Sequence, residues 1–134
     1  MSRREAREAA FTFLYQLDFR NEPVVEQKEM FLELHPLEEE DLPFFNMIVD
    51  GVYAEREGLD EAYTPFLKDW KQSRLPKVDV ILLRIAVYEM KNVPDIPVSV
   101  SINEAVVLAK RYSTEESRGY INAVLGKVGS TLDK

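Results

Sequence analysis

The sequence predicts an all-α fold of about seven helices, and three observations carry that prediction. Apolar residues recur at helical spacing along most of the chain, no useful length alternates with period two, and only five glycines interrupt it. Internal repeats and low-complexity segments are absent. A chain of 134 residues with 46% hydrophobic content is large enough for one domain, residues 1–134, to bury a core.

Ser2 and Glu5 form an S-x-x-E capping box, in which each side chain satisfies a free backbone donor at a helix start. Ala6, Ala9, Ala10, Phe13, Leu14 and Leu17 then make one face of this first helix apolar and leave Arg3, Arg4 and Arg7 outside the stripe. Asn21-Glu22-Pro23 ends it. Residues 24–35 predict a second, shorter helix with Val24, Met30, Phe31 and Leu34 as apolar positions. Pro36 stops it, because proline disfavours helical geometry in the residue before it. The acids Glu38, Glu39, Glu40 and Asp41 suit the positive end of a third helix, which carries Phe44, Phe45, Ile48, Val49 and Val52 and ends near Gly58. Leu59 to Trp70 reads as a fourth helix, either broken at Pro65 or divided there into two pieces.

A fifth helix starts at Pro76, where a missing N–H costs nothing, and runs to about Lys91. Val78, Ile81, Leu82, Ile85 and Ala86 line one side and Val80, Leu83 and Val87 the other, so it is apolar nearly all round and belongs at the centre of a bundle. Arg84 and Glu89 on such a helix need charge partners and read as structural. Asn92 to Pro97 form a stiff connector. Two further S-x-x-E boxes, Ser101 to Glu104 and Ser113 to Glu116, open helices over roughly 102–112 and 114–128. Their stripes are Ile102, Ala105, Val106 and Ala109, then Tyr120, Ile121, Val124, Leu125 and Val128.

Composition narrows the function classes. With no cysteine there is no disulfide, no thiolate zinc site and no cysteine nucleophile. The single histidine, His35, has no second histidine to complete a metal set or a triad, and no G-x-S-x-G places a serine on a nucleophile elbow. The acid runs at 38–41 and 115–116 fall at helix starts, where the helix dipole already accounts for them. Phosphate-binding glycine loops are missing. We therefore expect a binding protein rather than an enzyme, with no cofactor and no metal. The N-terminus lacks an export signal, and the longest apolar run, Val80 to Leu83, is far short of the roughly 20 residues a bilayer span requires. A cytoplasmic protein is expected.

The net charge of −7 is unevenly placed. Residues 1–20 sum to +1, residues 21–62 to −11 and residues 63–134 to +3. Taken alone, the net charge argues against non-specific nucleic-acid binding, but the acidic middle is either a solvated face or a dock for a basic protein, and both ends remain free to present a mildly basic face.

Leu83-Arg84-Ile85-Ala86-Val87-Tyr88-Glu89, then Asp95-Ile96-Pro97-Val98, then Ser101-Ile102-Asn103-Glu104-Ala105-Val106-Val107-Leu108-Ala109-Lys110 resemble the signature of the NusB family. Tyr120-Ile121-Asn122-Ala123-Val124-Leu125 resembles its final helix, and Ala6-Arg7-Glu8 with Leu14-Tyr15-Gln16 its first. Residues 21–62 match only in helical pattern. The resemblance implies a seven-helix bundle that binds the boxA element of nascent ribosomal RNA together with the small-subunit ribosomal protein NusE, within the RNA polymerase antitermination complex. Arg3, Arg4, Arg7, Tyr15 and Tyr120 have the chemistry for phosphate contact and base stacking. By motif match the RNA face also takes in Phe66, Asp79, Glu116 and Arg118, with Asp79 or Glu116 accepting from a base amino group. For Tyr15, Phe66 and Tyr120 the competing reading is core packing, and for Asp79 and Glu116 it is a first-turn carboxylate. Two alternative functions stand beside this one. One is an acidic protein-interaction module or homodimer with little RNA binding; the other is the RNA-binding domain of a ribosomal RNA methyltransferase, although the chain ends at Lys134 with no catalytic domain.

Overall fold

A computed structural model describes residues 3–67 and 74–132. Among these there are six α-helices and two 3-10 turns, with no strand. The helices are α1 (Arg3–Leu17), α2 (Val24–Leu34), α3 (Leu42–Tyr63), α4 (Lys77–Asn92), α5 (Val98–Tyr112) and α6 (Glu115–Ser130). The 3-10 turns, Glu39–Asp41 and Thr64–Phe66, lead into and out of α3.

Helix α4 is central, as its all-round apolar sequence requires. Val80, Ile81, Leu82, Leu83, Ile85, Ala86, Val87 and Met90 are all buried, and α1, α3, α5 and α6 pack around them. The hydrophobic cluster draws on every one of the six helices. Helices α3 and α4 approach closely at Gly51, where a Cβ would lie 2.2 Å from the Tyr88 ring. The charge pairing expected on α4 is supplied twice. Arg84 donates to both oxygens of Asp60 at 2.9 and 2.8 Å, and Glu89 accepts from Arg7 at 2.6 and 2.8 Å.

Several boundaries differ from the sequence reading, each for a physical reason. Helix α1 stops at Leu17, before Asn21, and its expected Ser2 cap lies outside the described residues. Helix α3 runs through Gly58 to Tyr63, so residues 59–63 belong to it and not to a separate fourth helix; Trp70 lies outside the described residues. Burial of Leu59 and Tyr63 and the Asp60 ion pair outweigh the ~1 kcal/mol cost of an internal glycine. Of the acids at 38–41, Glu39, Glu40 and Asp41 form the 3-10 turn and Glu38 precedes it, which leaves the first turn of α3 without an acid. Pro76 precedes α4 and does not begin it. Helix α5 begins at Val98, four residues early, because Pro97 offers its carbonyl to the N–H groups of Val100 and Ser101. Helix α6 is capped by Thr114 and not by Ser113: the Thr114 hydroxyl accepts from the Ser117 N–H at 3.0 Å. On α2, Phe31 is buried as expected, but Met30 and Leu34 face solvent.

Candidate nucleic-acid interface

Two faces of α1 carry arginines, and they serve different ends. Arg7 points inward. Its side chain is only 5% exposed, forks onto Glu89, and reaches Glu104 at 3.3 Å. Ser101 donates to the same Glu89 carboxylate at 3.3 Å, so α1, α4 and α5 meet on this charged cluster. The Arg3 and Arg7 guanidinium groups both lie over the Phe44 ring, at 5.0 and 5.3 Å.

Arg4, Glu8, Phe11 and Tyr15 recur at spacings of four, three and four, which puts them on one stripe of α1. That stripe meets α5. Arg4 forks onto Glu104 at 2.9 and 2.7 Å, and Arg111 holds both oxygens of Glu8 at 2.6 and 2.7 Å while the Tyr112 hydroxyl donates to the same carboxylate. Phe11 packs 5.0 Å from Tyr112 and 6.3 Å from Tyr15, and Tyr15 lies 5.4 Å from Phe19, so four rings follow one another along the seam. The Arg4 and Arg111 side chains remain 56% and 58% exposed. Each therefore holds a carboxylate while its side chain stays accessible to solvent. Lys77, at the start of α4, pairs with Asp18 just past the end of α1.

The electrostatics follow from the pairing. The hydrogen bond from Arg4 is the main reason that the Glu104 carboxyl lies below its ordinary value. Burial would raise Glu8, but the bonds from Tyr112 and Arg111 outweigh it, and the net shift is also downward. Donation to Glu8 pushes the Tyr112 phenol up.

A second polar centre sits where α4 begins and α5 turns into α6. Asp79, fully buried in the first turn of α4, accepts from Ser113 and Ser117 at 2.6 Å each and from the Tyr120 hydroxyl. Burial first, and Asp79 second, drive the Tyr120 phenol far above its usual value. The Thr64–Phe66 turn packs on α6, with Phe66 half-buried. Glu116 is exposed. Arg118 stands beside Glu115 and, with Asn103 and Asn122, lines an open groove of about 560 Å³ between α5 and α6.

The structure thus sorts the expected site residues into groups. Arg3, which pairs with Asp95 at 3.3 Å, Arg4 and Tyr15 lie on or beside the α1–α5 seam; Asp79, Tyr120, Glu116, Arg118 and Phe66 gather around the start of α6. Arg7 and Asp79 are interior, with their polar atoms already engaged. Sequence reasoning missed Glu8, Arg111 and Tyr112, which join positions more than 100 residues apart. The available signal was the i, i+4 relation of Arg4 and Glu8 on the Tyr15 face.

His35 lies tilted against the Phe31 ring, with centroids 4.7 Å apart, and among the described residues no group of three His, Cys, Asp or Glu side chains is placed to hold a metal ion. No described helix is long and apolar enough to cross a membrane. Compared with known families, the model of the NusB family matches residues 4–130. The chain belongs to the NusB family. The transcription antitermination protein NusB of Acetivibrio thermocellus is 46% identical over 128 residues, which span 96% of this chain and 88% of that protein. Among solved structures, T. maritima NusB superimposes with a TM-score of 0.87 at 31% identity, covering 97% of this chain and 92% of that one. A crystal structure of the antitermination factors NusB and NusE in complex with double-stranded RNA gives a TM-score of 0.86 at 24% identity, with 97% of each chain covered, and shares the fold.

Proposed function

We propose that this chain, as a NusB-family antitermination factor, binds boxA-like RNA of ribosomal RNA operons jointly with the small-subunit ribosomal protein NusE, and so joins the RNA polymerase antitermination complex in the cytoplasm. The observation that carries this reading is the α1–α5 seam, which brings the exposed guanidinium groups of Arg4 and Arg111 onto one line with the Tyr112, Phe11 and Tyr15 rings. Cations for phosphates beside rings for splayed bases are what single-stranded RNA recognition demands. The NusB–NusE–RNA complex that shares this fold supports both partners.

In this reading Arg3, Arg4 and Arg118 contact phosphates, and Tyr15 stacks on a base. Tyr120, Phe66 and the exposed Glu116 border the same track. Arg7 and Asp79 contribute indirectly: Arg7 fixes the bearing of α1 on α4 and α5, and Asp79 holds the start of α6 and the Tyr120 ring. The test is titration of fluorescent boxA RNA and a scrambled RNA of equal length, each with and without purified NusE. Preference for boxA that NusE strengthens is expected; equal binding of both RNAs under both conditions contradicts the reading.

A further inference from the structure

Glu8 is the seam residue whose presence phosphate contact does not explain. A carboxylate repels phosphates, yet this one stands in the middle of the α1 stripe, one helical turn from Arg4 on one side and from Phe11 on the other. Stability accounts for little of it. The side chain is 26% exposed, its Arg111 partner is 58% exposed, and exposed ion pairs contribute little to folding.

What Glu8 does is hold together two side chains that would otherwise part. Arg111 and Tyr112 are consecutive at the end of α5, and consecutive residues of a helix point about 100° apart. Both nevertheless meet on one carboxylate: Arg111 donates to its two oxygens at 2.6 and 2.7 Å, and the Tyr112 hydroxyl donates to Oε2. The Tyr112 ring also lies 5.0 Å from Phe11, so it is fixed at its hydroxyl by Glu8 and along its ring by Phe11 while 42% of the residue stays exposed. A ring ordered before binding loses less freedom when a base stacks on it.

We infer that Glu8 is a positioning residue for RNA recognition, which sets the Arg111 guanidinium and the Tyr112 ring at one fixed separation, so that RNA whose phosphate and base match that separation is preferred. Its negative charge adds to this selectivity, because it weakens RNA held by phosphate attraction alone. This role rests on the proposed use of the seam for boxA RNA and names the residue that sets the selectivity there.

The test measures binding of fluorescent boxA RNA and of scrambled RNA, each with NusE present, by the wild type, Glu8→Gln and Tyr112→Phe, with thermal melting to follow the fold. Glu8→Gln removes a negative charge, so charge alone would tighten binding of both RNAs. The expected result is the opposite for boxA: a loss of about tenfold, the size of one weakened base stack, while scrambled RNA binds at least as tightly as it does to the wild type. Tyr112→Phe keeps the ring and the net charge but frees the ring from Glu8, and a smaller loss confined to boxA is expected. Affinities for the two RNAs that rise together, fall together or stay unchanged in Glu8→Gln overturn the inference and leave the seam reading intact. If Glu8→Gln melts early, Tyr112→Phe decides, and boxA binding equal to that of the wild type overturns the inference. A wild type with no preference for boxA overturns the proposed function and the role of Glu8 with it.

Discussion

Helix α4 buries a carboxylate at each end and accommodates the two by different means. Asp79, in its first turn, is surrounded by neutral hydroxyls from Ser113, Ser117 and Tyr120. Glu89, in its last turn, is met by the forked guanidinium of Arg7, with Ser101 beside it. The helix dipole explains the contrast. Free N–H groups and the positive end favour a carboxylate at the start of a helix, so hydroxyl donors complete its shell; at the negative end the dipole works against a carboxylate, and a cation is needed. A residue type that suggests a binding site when read alone, whether arginine or aspartate, is therefore committed to the interior at both ends of α4. In the proposed function, recognition is left to the exposed side of α1 and α5.

This contrast can be broken by mutation, and the largest effect should come from its charged end. Arg7→Ala strands the buried Glu89 without its guanidinium, and denaturant unfolding should show a loss of about 3–5 kcal/mol. An unchanged midpoint would mean that Glu89 does not depend on Arg7. At the neutral end, Asp79→Ala leaves buried hydroxyls without their acceptor and should cost about 1–3 kcal/mol. Tyr120→Phe removes one of the donors and should cost only about 0.5–1.5 kcal/mol in the same assay.

A smaller, pH-dependent effect belongs to the seam. Glu8 and Glu104 both lie below their ordinary value of 4.5, so the stability they contribute is complete above that pH and is lost as pH falls through their lower folded values. Thermal midpoints measured from about pH 5 to about pH 3 should therefore fall more steeply for the wild type than for Glu104→Gln. Equal slopes would show that the Arg4–Glu104 pair contributes nothing to acid stability.

Much of the fold was legible in the sequence, because α4 is apolar on all sides and proline marks the starts of α4 and α5. What escaped was long-range. Ser101 and Ser113 look like helix caps in the local S-x-x-E pattern, yet their hydroxyls serve Glu89 and Asp79, which lie 12 and 34 residues away in sequence. Spacing alone offered Met30 and Leu34 as core positions; only the packing of α2 through Gln27 and Phe31 turns them outward. The candidate site was half legible. Residue chemistry pointed to Arg3, Arg4 and Tyr15, but burial withdraws Arg7 from the surface, and the Glu8–Arg111–Tyr112 cluster exists only once α1 lies against α5.

The most direct test of the account is the salt dependence of boxA RNA binding by the wild type, by Arg4→Ala/Arg111→Ala, and by the same double variant with scrambled RNA as competitor. The double variant should fold normally, bind more weakly, and show a salt slope shallower by about 1.4, roughly 0.7 for each single-strand phosphate contact removed. Unchanged affinity and slope in a folded double variant would place the RNA elsewhere and contradict the seam as the recognition surface.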